Sequence, residues 1–348
     1  MIWLTWKQFR VQAAVVGGLL LAIAIVVIVT GLHVHDLYRS CKAVSDCGSS
    51  QFTNTDQKLQ VVLVVVLTIA PALIGAFWGA PLIARELETG TYRLGWTQSV
   101  TRRRWLAVKL GVVGLASVAT VGLMSLMVTW WFSPIDTVNA ERLTATFDVR
   151  DIVPLGYAAF AFALGVTLGI LIRKTVPSMA ATLAAFAAVR LVVHEWVRPH
   201  LLPSSHALVA ISRTNQSFGI IKTSSGAEFS VGAPTIPNAW VYSSSLVDKT
   251  GHESQVTFVN KACSDILNSL PSGPPGGPGP HKAIGAAGPG PTAFQSCFDK
   301  VASHFNQSVT YQPASHFWPL QGIETALFLI LALLLTGLCI WWVRHRLS

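Results

Sequence analysis

The sequence has few charged residues for its length. Asp, Glu, Lys and Arg make up 12% of its 348 residues, whereas hydrophobic residues make up 51%. Soluble globular domains carry about 25% charged residues, so this deficit excludes an ordinary soluble domain for most of the chain. The mean hydropathy of +0.51 agrees with that exclusion. The composition therefore predicts a membrane protein.

Sequence signatures of nucleotide binding and of catalysis are also missing. The chain has no GxxxxGK[ST] phosphate-binding loop, so it does not bind ATP by that device. It has no HExxH motif, no GxSxG motif and no CxxC pair, and its histidines are scattered. We therefore expect no catalytic residue, no metal site and no cofactor in this chain.

Six apolar runs come close to the roughly 20 residues that a helix needs to cross a bilayer. The first run lacks a small-residue cleavage site, so we expect it to be retained rather than removed as a signal peptide. The predicted spans lie at about 12–32, 60–82, 106–132, 152–172, 177–197 and 322–343.

Basic residues outnumber acidic ones, which gives a formal net charge of +9. With six spans both termini lie on one side, and most basic residues flank that side, so the positive-inside rule places both termini in the cytoplasm. Topology thus explains the charge, and we infer no nucleic-acid partner from it. Membrane lipids are an expected partner, because Arg102–Arg104 could contact anionic headgroups.

A long segment, 198–321, separates the fifth and sixth spans and falls on the extracellular side of this topology. It contains the strand-like pieces "GAEFSVG", "AWVYSSSLV" and "SQVTFVN", and Pro and Gly dominate 271–291, which we expect to be disordered. The fold prediction is therefore an all-α polytopic membrane protein with six transmembrane helices and a small α+β extracellular domain. Helical spacing after the disordered loop is seen at Phe294, Phe298, Val301 and Phe305.

Four of the five cysteines fall in segments that this topology places outside, where disulfides form. Three pairings are open, and we favour the local ones, Cys41–Cys47 and Cys263–Cys297. A metal site is the alternative. Cys339 lies inside the last span and is interpreted as a small apolar packing residue.

The fifth span, "AATLAAFAAVRLVVHEWVRPH", contains charged residues inside an apolar helix. A charge deep in the bilayer costs about 2.5–3.5 kcal/mol on insertion scales, so Arg190, His194 and Glu195 should face protein or water. Glu324 or Glu195 could pair with Arg190, forming a gate or a substrate-lining cluster. Alternatively, Arg190 extends its side chain to the membrane surface.

Close packing is predicted at Gly165 and Gly169, which have the small-xxx-small spacing of helix contacts in membranes. We favour packing within one subunit, and a dimer seam is the alternative. Pro71 is expected to kink the second span, because it removes a helical hydrogen bond.

Two polar segments flank the first three spans. In 1–11, Trp3, Trp6 and Phe9 alternate with polar residues and predict an amphipathic elbow helix in the headgroup region. In "RELETGTYRL", Leu87 and Leu94 share one side of a short helix, and Gly90 permits a bend. The charges alone would also fit a plain polar hairpin between two spans.

The loop 84–104 resembles that of ABC-2 type permeases, the membrane subunits of ATP-driven exporters. The resemblance covers about residues 1–200 and the last span, with departures at Trp96, Thr97 and Gln98, and the elbow and long outer segment are typical of actinobacterial permeases. The matching residues are Arg85, Glu86, Glu88, Gly90, Thr91 and Arg93, followed by "WTQSVTRRRW" and "AVKL".

This resemblance implies a permease in a bacterial plasma membrane. Its first five spans would lie in 12–197, and its last span and cytoplasmic tail in 322–348. Its loop 84–104 would dock on two separate ATPase subunits that bind ATP and Mg, and the elbow would contact them too. A second permease copy is implied, with a homodimer favoured and a heterodimer left open. The alternatives are a membrane sensor or immunity-type binding protein without transport, and a membrane-bound extracellular enzyme.

Overall fold

The computed structural model describes two compact units. One comprises Met1–Leu202 with Ala314–Ser348, and the other comprises Pro203–Pro313, shorter at both ends than the predicted domain 198–321. The residues described are 2–44, 54–90, 102–139, 142–143, 146–212, 218–223, 226–249 and 291–345.

Within the described residues, six helices are long and apolar enough to span a membrane, which confirms the predicted number. The helices are α1 (Ile2–Val44), α2 (Asn54–Ile74), α3 (Ala80–Glu88), α4 (Arg102–Asn139), α5 (Val153–Ile172), α6 (Thr175–Val192), α7 (Pro291–His304) and α8 (Phe317–His345). The second span is built from α2, a π-helical turn at Gly75–Gly79, and α3. Helix α7 belongs to the second unit.

The amino-terminal segment differs from the separate elbow helix that was predicted. Helix α1 is continuous from Ile2 to Val44 and has no break before the first span. Neither proline nor glycine occurs in 2–16, so nothing in this stretch interrupts helical hydrogen bonding. Trp3, Trp6 and Phe9 therefore lie on the same helix as the first span.

The segment "RELETGTYRL" also differs from the short helix that was predicted. Arg85–Glu88 form the last turn of α3 and so continue the second span. The helix ends because Gly90 adopts φ +71°, a left-handed conformation that glycine tolerates. Thr91 and Arg93 lie outside the described residues.

Helix α5 is the centre of the bundle. It contacts α2, α3, α4, α6 and α8, because its sequence is apolar on all sides and contains no charged residue. Its small residues let the second span approach closely. A Cβ added at Gly169 would lie 2.5 Å from the carbonyl oxygen of Ala80, and one at Gly79 would lie 2.6 Å from that of Phe162.

The glycine contacts confirm packing within one subunit for Gly165 and Gly169. Gly75 and Gly165 also face each other's helix so closely that a Cβ at either would meet backbone atoms at under 3.0 Å. The π-helical turn that holds Gly75 begins four residues after Pro71, which lies inside α2. The kink expected at Pro71 stays a prediction.

The bundle has two ends, which we name by their polar residues. At the Asp148 end, the connection between α4 and α5 lies beside the start of α8 and the end of α6. At the Glu86 end, the last turn of α3 contacts α4 and the start of α6. Helix α1 packs on α4, where Trp131 Nε1 donates to Thr30 Oγ1 at 3.1 Å.

The second unit contains a three-stranded antiparallel sheet in the order β1-β5-β4, and a separate hairpin of β2 and β3. The predicted strands "GAEFSVG" and "AWVYSSSLV" are confirmed as β3 and β4, whereas "SQVTFVN" lies outside the described residues. The strands are β1 (Ser205–Ala210), β2 (Phe218–Thr223), β3 (Gly226–Val231), β4 (Trp240–Asp248) and β5 (Phe305–Gln312).

The predicted helix after the Pro/Gly loop is confirmed as α7, which turns Phe298 and Val301 into the core of this unit. Phe305 already belongs to β5, where it is buried. Cys297 is buried too. Both proposed disulfides stay predictions, because Cys47 and Cys263 lie outside the described residues.

Candidate functional site

The main polar site of the membrane unit lies at the Asp148 end, and we call it the Arg198 cluster. Its side chains come from four segments: the α4–α5 connection, α5, the end of α6 and the first turns of α8. The end of α6 is a π-helical turn, Val193–Val197, followed by a 3-10 turn, Arg198–His200. The members of the cluster are Asp148, Tyr157, Arg190, His194, Arg198 and Glu324.

Arg198 is the centre of this cluster. Its Nε donates to Glu324 Oε2 at 2.9 Å and its Nη2 donates to Glu324 Oε1 at 2.9 Å. The same Nη2 forms an ion pair with Asp148. Tyr157 donates its hydroxyl to Glu324 Oε1 at 2.5 Å. Since the side chains of Arg198 and Glu324 are only 3% and 1% exposed, neither charge is compensated by solvent.

Arg190 joins the cluster through a partner that was not predicted. Its Nη2 lies 3.3 Å from Asp148 Oδ2, and its Nη1 donates to the backbone carbonyl of Thr68 at 2.9 Å. The predicted pairing of Arg190 with Glu324 or Glu195 was therefore wrong, because Glu324 is taken by Arg198. The contacts with Asp148 and Thr68 favour a protein-facing Arg190 over one that extends to the membrane surface.

His194 and Glu195 lie at the rim of the cluster. His194 Nδ1 is 2.9 Å from Arg198 Nη1 and 3.6 Å from Asp148 Oδ2. Glu195 is 66% exposed, and its Oε1 lies 3.8 Å from Nε2 of His194. Three of the four predicted residues, Arg190, His194 and Glu324, thus come together, whereas Glu195 remains at the surface.

The charges of the buried groups balance: two arginines face two carboxylates. Burial by itself raises the pKa of Asp148, but Arg198 and Arg190 outweigh burial, so its pKa lies below the ordinary value. Asp148 therefore stabilises the fold at pH values above its unfolded-state pKa. That contribution is lost as the pH falls through the lower folded-state pKa.

A second buried arginine adjoins this site. Arg150 Nη1 donates to Asp136 Oδ1 at 2.7 Å and to Thr146 Oγ1 at 3.1 Å, which ties the α4–α5 connection to α4. Arg142 lies 4.1 Å from the ring centre of Phe317 at the start of α8. These contacts were not predicted, because both arginines lie between two predicted spans and no local pattern indicates their partners.

The Glu86 end has a smaller polar site. Lys109 of α4 is 5% exposed and forms an ion pair with Glu86. Glu88 Oε2 accepts hydrogen bonds from the backbone N–H of Thr175 at 2.9 Å and from its hydroxyl at 2.7 Å. The last turn of α3 is therefore tied to both α4 and α6. Arg85 on the same turn is exposed.

Replacing Glu86 by glutamine is expected to lower the free energy of unfolding by about 1.5–3 kcal/mol, because it leaves the buried Lys109 ammonium without its counter-charge. The measurement is the thermal midpoint of the purified protein in detergent. Glu86→Gln combined with Lys109→Met should recover part of the loss. An unchanged midpoint for Glu86→Gln alone would contradict the role assigned to this pair.

Catalytic and metal chemistry gain no support from the geometry. Over the part of the chain that the structure describes, no group of three or more His, Cys, Asp or Glu side chains is placed to hold a metal ion. The carboxylates of the Arg198 cluster, Asp148 and Glu324, form ion pairs with arginine side chains. The two sites hold the ends of neighbouring helices together.

Six apolar spans and buried polar sites at both bundle ends define a multi-pass membrane protein. A sequence model of the family described as ABC-2 membrane transporter related matches residues 17–198, just over half of the chain, and the chain belongs to this family. Neither the search of curated proteins nor that of solved structures found a match. The family is that of the membrane components of ABC transporters, which agrees with the resemblance seen in the loop 84–104.

Proposed function

We propose that this chain is the permease subunit of an ATP-binding cassette exporter, moved by ATPase subunits on separate chains. The observation that carries the proposal is the pair of contacts at the Glu86 end. Family membership and six apolar helices support a transport subunit. In this assignment ATP and Mg are bound by two partner ATPases, and a second permease copy, identical or homologous, completes the translocation path.

The orientation follows from charge. The Glu86 end is cytoplasmic in this proposal, because the basic residues flanking the spans gather there. The second unit, with its sheet β1-β5-β4, is then extracellular, and the protein lies in a bacterial plasma membrane, with an actinobacterial source favoured. Accessibility labelling of a cysteine introduced at Thr89 tests this orientation, since it should react only from the cytoplasmic side.

Coupling to the ATPases would act through the last turn of α3. That turn cannot move alone, since Glu86 binds Lys109 on α4 and Glu88 binds Thr175 on α6. A force applied to residues 84–104 would thus reach the second, third and fifth spans together. Docking of such a segment needs only a few anchors and complementary charge.

At the opposite end, the Arg198 cluster would act as the gate. It joins α5, α6 and α8 through ion pairs that are directional and discrete, unlike apolar packing. In the alternate state Arg198 and Arg190 would exchange partners, so that ATPase-driven movement shifts the population between a closed and an open arrangement.

Charge reversal of Arg85 is expected to reduce co-purification of the ATPase at least about tenfold, because it changes an exposed charge on the docking turn that forms no ion pair with any other described residue. The tagged chain is purified from native membranes, and ATP-binding cassette ATPases are quantified by mass spectrometry. Lys58→Glu is the matched control, since Lys58 is exposed at the other end of the same span.

Two outcomes would count against the proposal. Equal loss with Lys58→Glu would show that the charge change acts on the whole protein rather than on a docking surface. Recovery of no ATPase with the wild-type chain would remove the basis for coupling and favour a sensor that uses its second unit. Glu86 and Glu88 are less suitable for this test, because their substitution disturbs internal contacts.

A further inference from the structure

An apolar groove opens between α4, α5 and α8. Its volume is about 360 Å³, within the roughly 300–1,000 Å³ range of ligand pockets. On α4 it is lined by Ala107, Gly111 and Gly114, and on α8 by Leu333, Thr336 and Ile340. A Cβ added at Gly111 would meet nothing within 4 Å, so the groove is open at that point.

Arginines continue both lining stripes at the same end of the bundle. Arg104 lies three residues before Ala107 on α4, and Arg344 lies four residues after Ile340 on α8. These are the spacings at which helical residues share a face. Since α4 starts and α8 finishes at the Glu86 end, both arginines border the same mouth of the groove. Both are exposed, and neither forms an ion pair within the described ranges.

We propose that this groove binds a bilayer phospholipid with an anionic headgroup, its acyl chain lying against α4 and α8 and its phosphate between Arg104 and Arg344. An apolar groove that ends in two exposed guanidinium groups is complementary to such an amphiphile in both charge and polarity. A second copy of this chain would bring its own Arg104 on α4 and Arg344 on α8, and like charges would face each other across the contact. The charge therefore favours a lipid.

The proposal goes beyond the proposed transport function and needs no ATPase. The test uses the purified full chain in detergent, titrated with phosphatidylglycerol or with phosphatidylcholine of the same acyl chains, and bound lipid is counted by native mass spectrometry. The wild-type protein should bind phosphatidylglycerol about tenfold more tightly than phosphatidylcholine. Arg104→Gln with Arg344→Gln should bring that preference close to one.

Filling the groove provides the second arm. Gly111→Leu should weaken binding of both lipids at least fivefold or so, by occupying the space for the acyl chain, whereas Gly18→Leu should not, since Gly18 lies in open space on α1. An unchanged lipid preference in the arginine double variant would overturn the proposal. So would a loss of dimer mass in Gly111→Leu, which would assign the groove to a second copy of the chain.

Discussion

Replacing Arg198 by glutamine is expected to lower the free energy of unfolding by about 3–5 kcal/mol, which is the usual cost of removing one partner of a buried ion pair. Asp148 would lose Arg198 but keep Arg190, His194 and the Tyr157 hydroxyl nearby. Glu324, 1% exposed, would lose both hydrogen bonds from Arg198 and keep the one from the Tyr157 hydroxyl. The measurement is the thermal midpoint in detergent, together with the yield of monodisperse protein. A large fall in both is expected.

The control for this substitution is Arg39→Gln. Arg39 is 79% exposed and pairs with Asp36 at 3.7 Å on the same helix, so its loss should cost about 0–1 kcal/mol. Combining Arg198→Gln with Glu324→Gln should cost less than the sum of the two single changes, because each removes the same interaction. Strict additivity would show that Arg198 and Glu324 do not act as a pair.

Gly165→Ala is the second change with a large expected effect. Its added Cβ would meet the backbone of Gly75 and Ala80 at under 3.0 Å, and backbone cannot move aside as a flexible side chain can. Forcing α5 away from the second span should cost about 1–3 kcal/mol or more. The readout is the thermal midpoint of the purified protein.

Gly337→Ala is the matched control on α8, where an added Cβ meets nothing within 4 Å. This change should be neutral or slightly stabilising, because alanine is the better helix former. Equal thermal midpoints for Gly165→Ala and Gly337→Ala would contradict the close approach of α5 to the second span.

The spans could be predicted from sequence because their signal is local. A run of apolar residues such as 152–172 can be recognised as a span from its length and composition, and the basic residues that flank it suggest its orientation. The close approach at Gly165 was predictable as a motif, but its partner Gly75 was not, since a small residue does not specify which helix it meets. Strands β3 and β4 were visible for the same local reason.

The polar contacts could not be predicted in the same way, because they join residues far apart in the chain. Arg198 and Glu324 are 126 positions apart, and the sequence around either residue does not indicate that the other is its partner. Asp148 gave a weak signal as part of "FDVRDIV", a charged stretch directly before an apolar run. Glu86 was predicted to contact a partner protein, whereas its carboxylate is bound to Lys109 inside the bundle.

The π-helical turn at Gly75–Gly79 determines in which direction the side chains of the following helix, α3, point around the helix axis. An α-helix advances about 100° per residue, so the residue added in such a turn rotates everything downstream by that amount. Without it, Glu86 and Glu88 would be directed about 100° away from Lys109 and Thr175. The directions of Glu86 and Glu88 are thus set some ten residues earlier in the same span, by one widened turn of the helix.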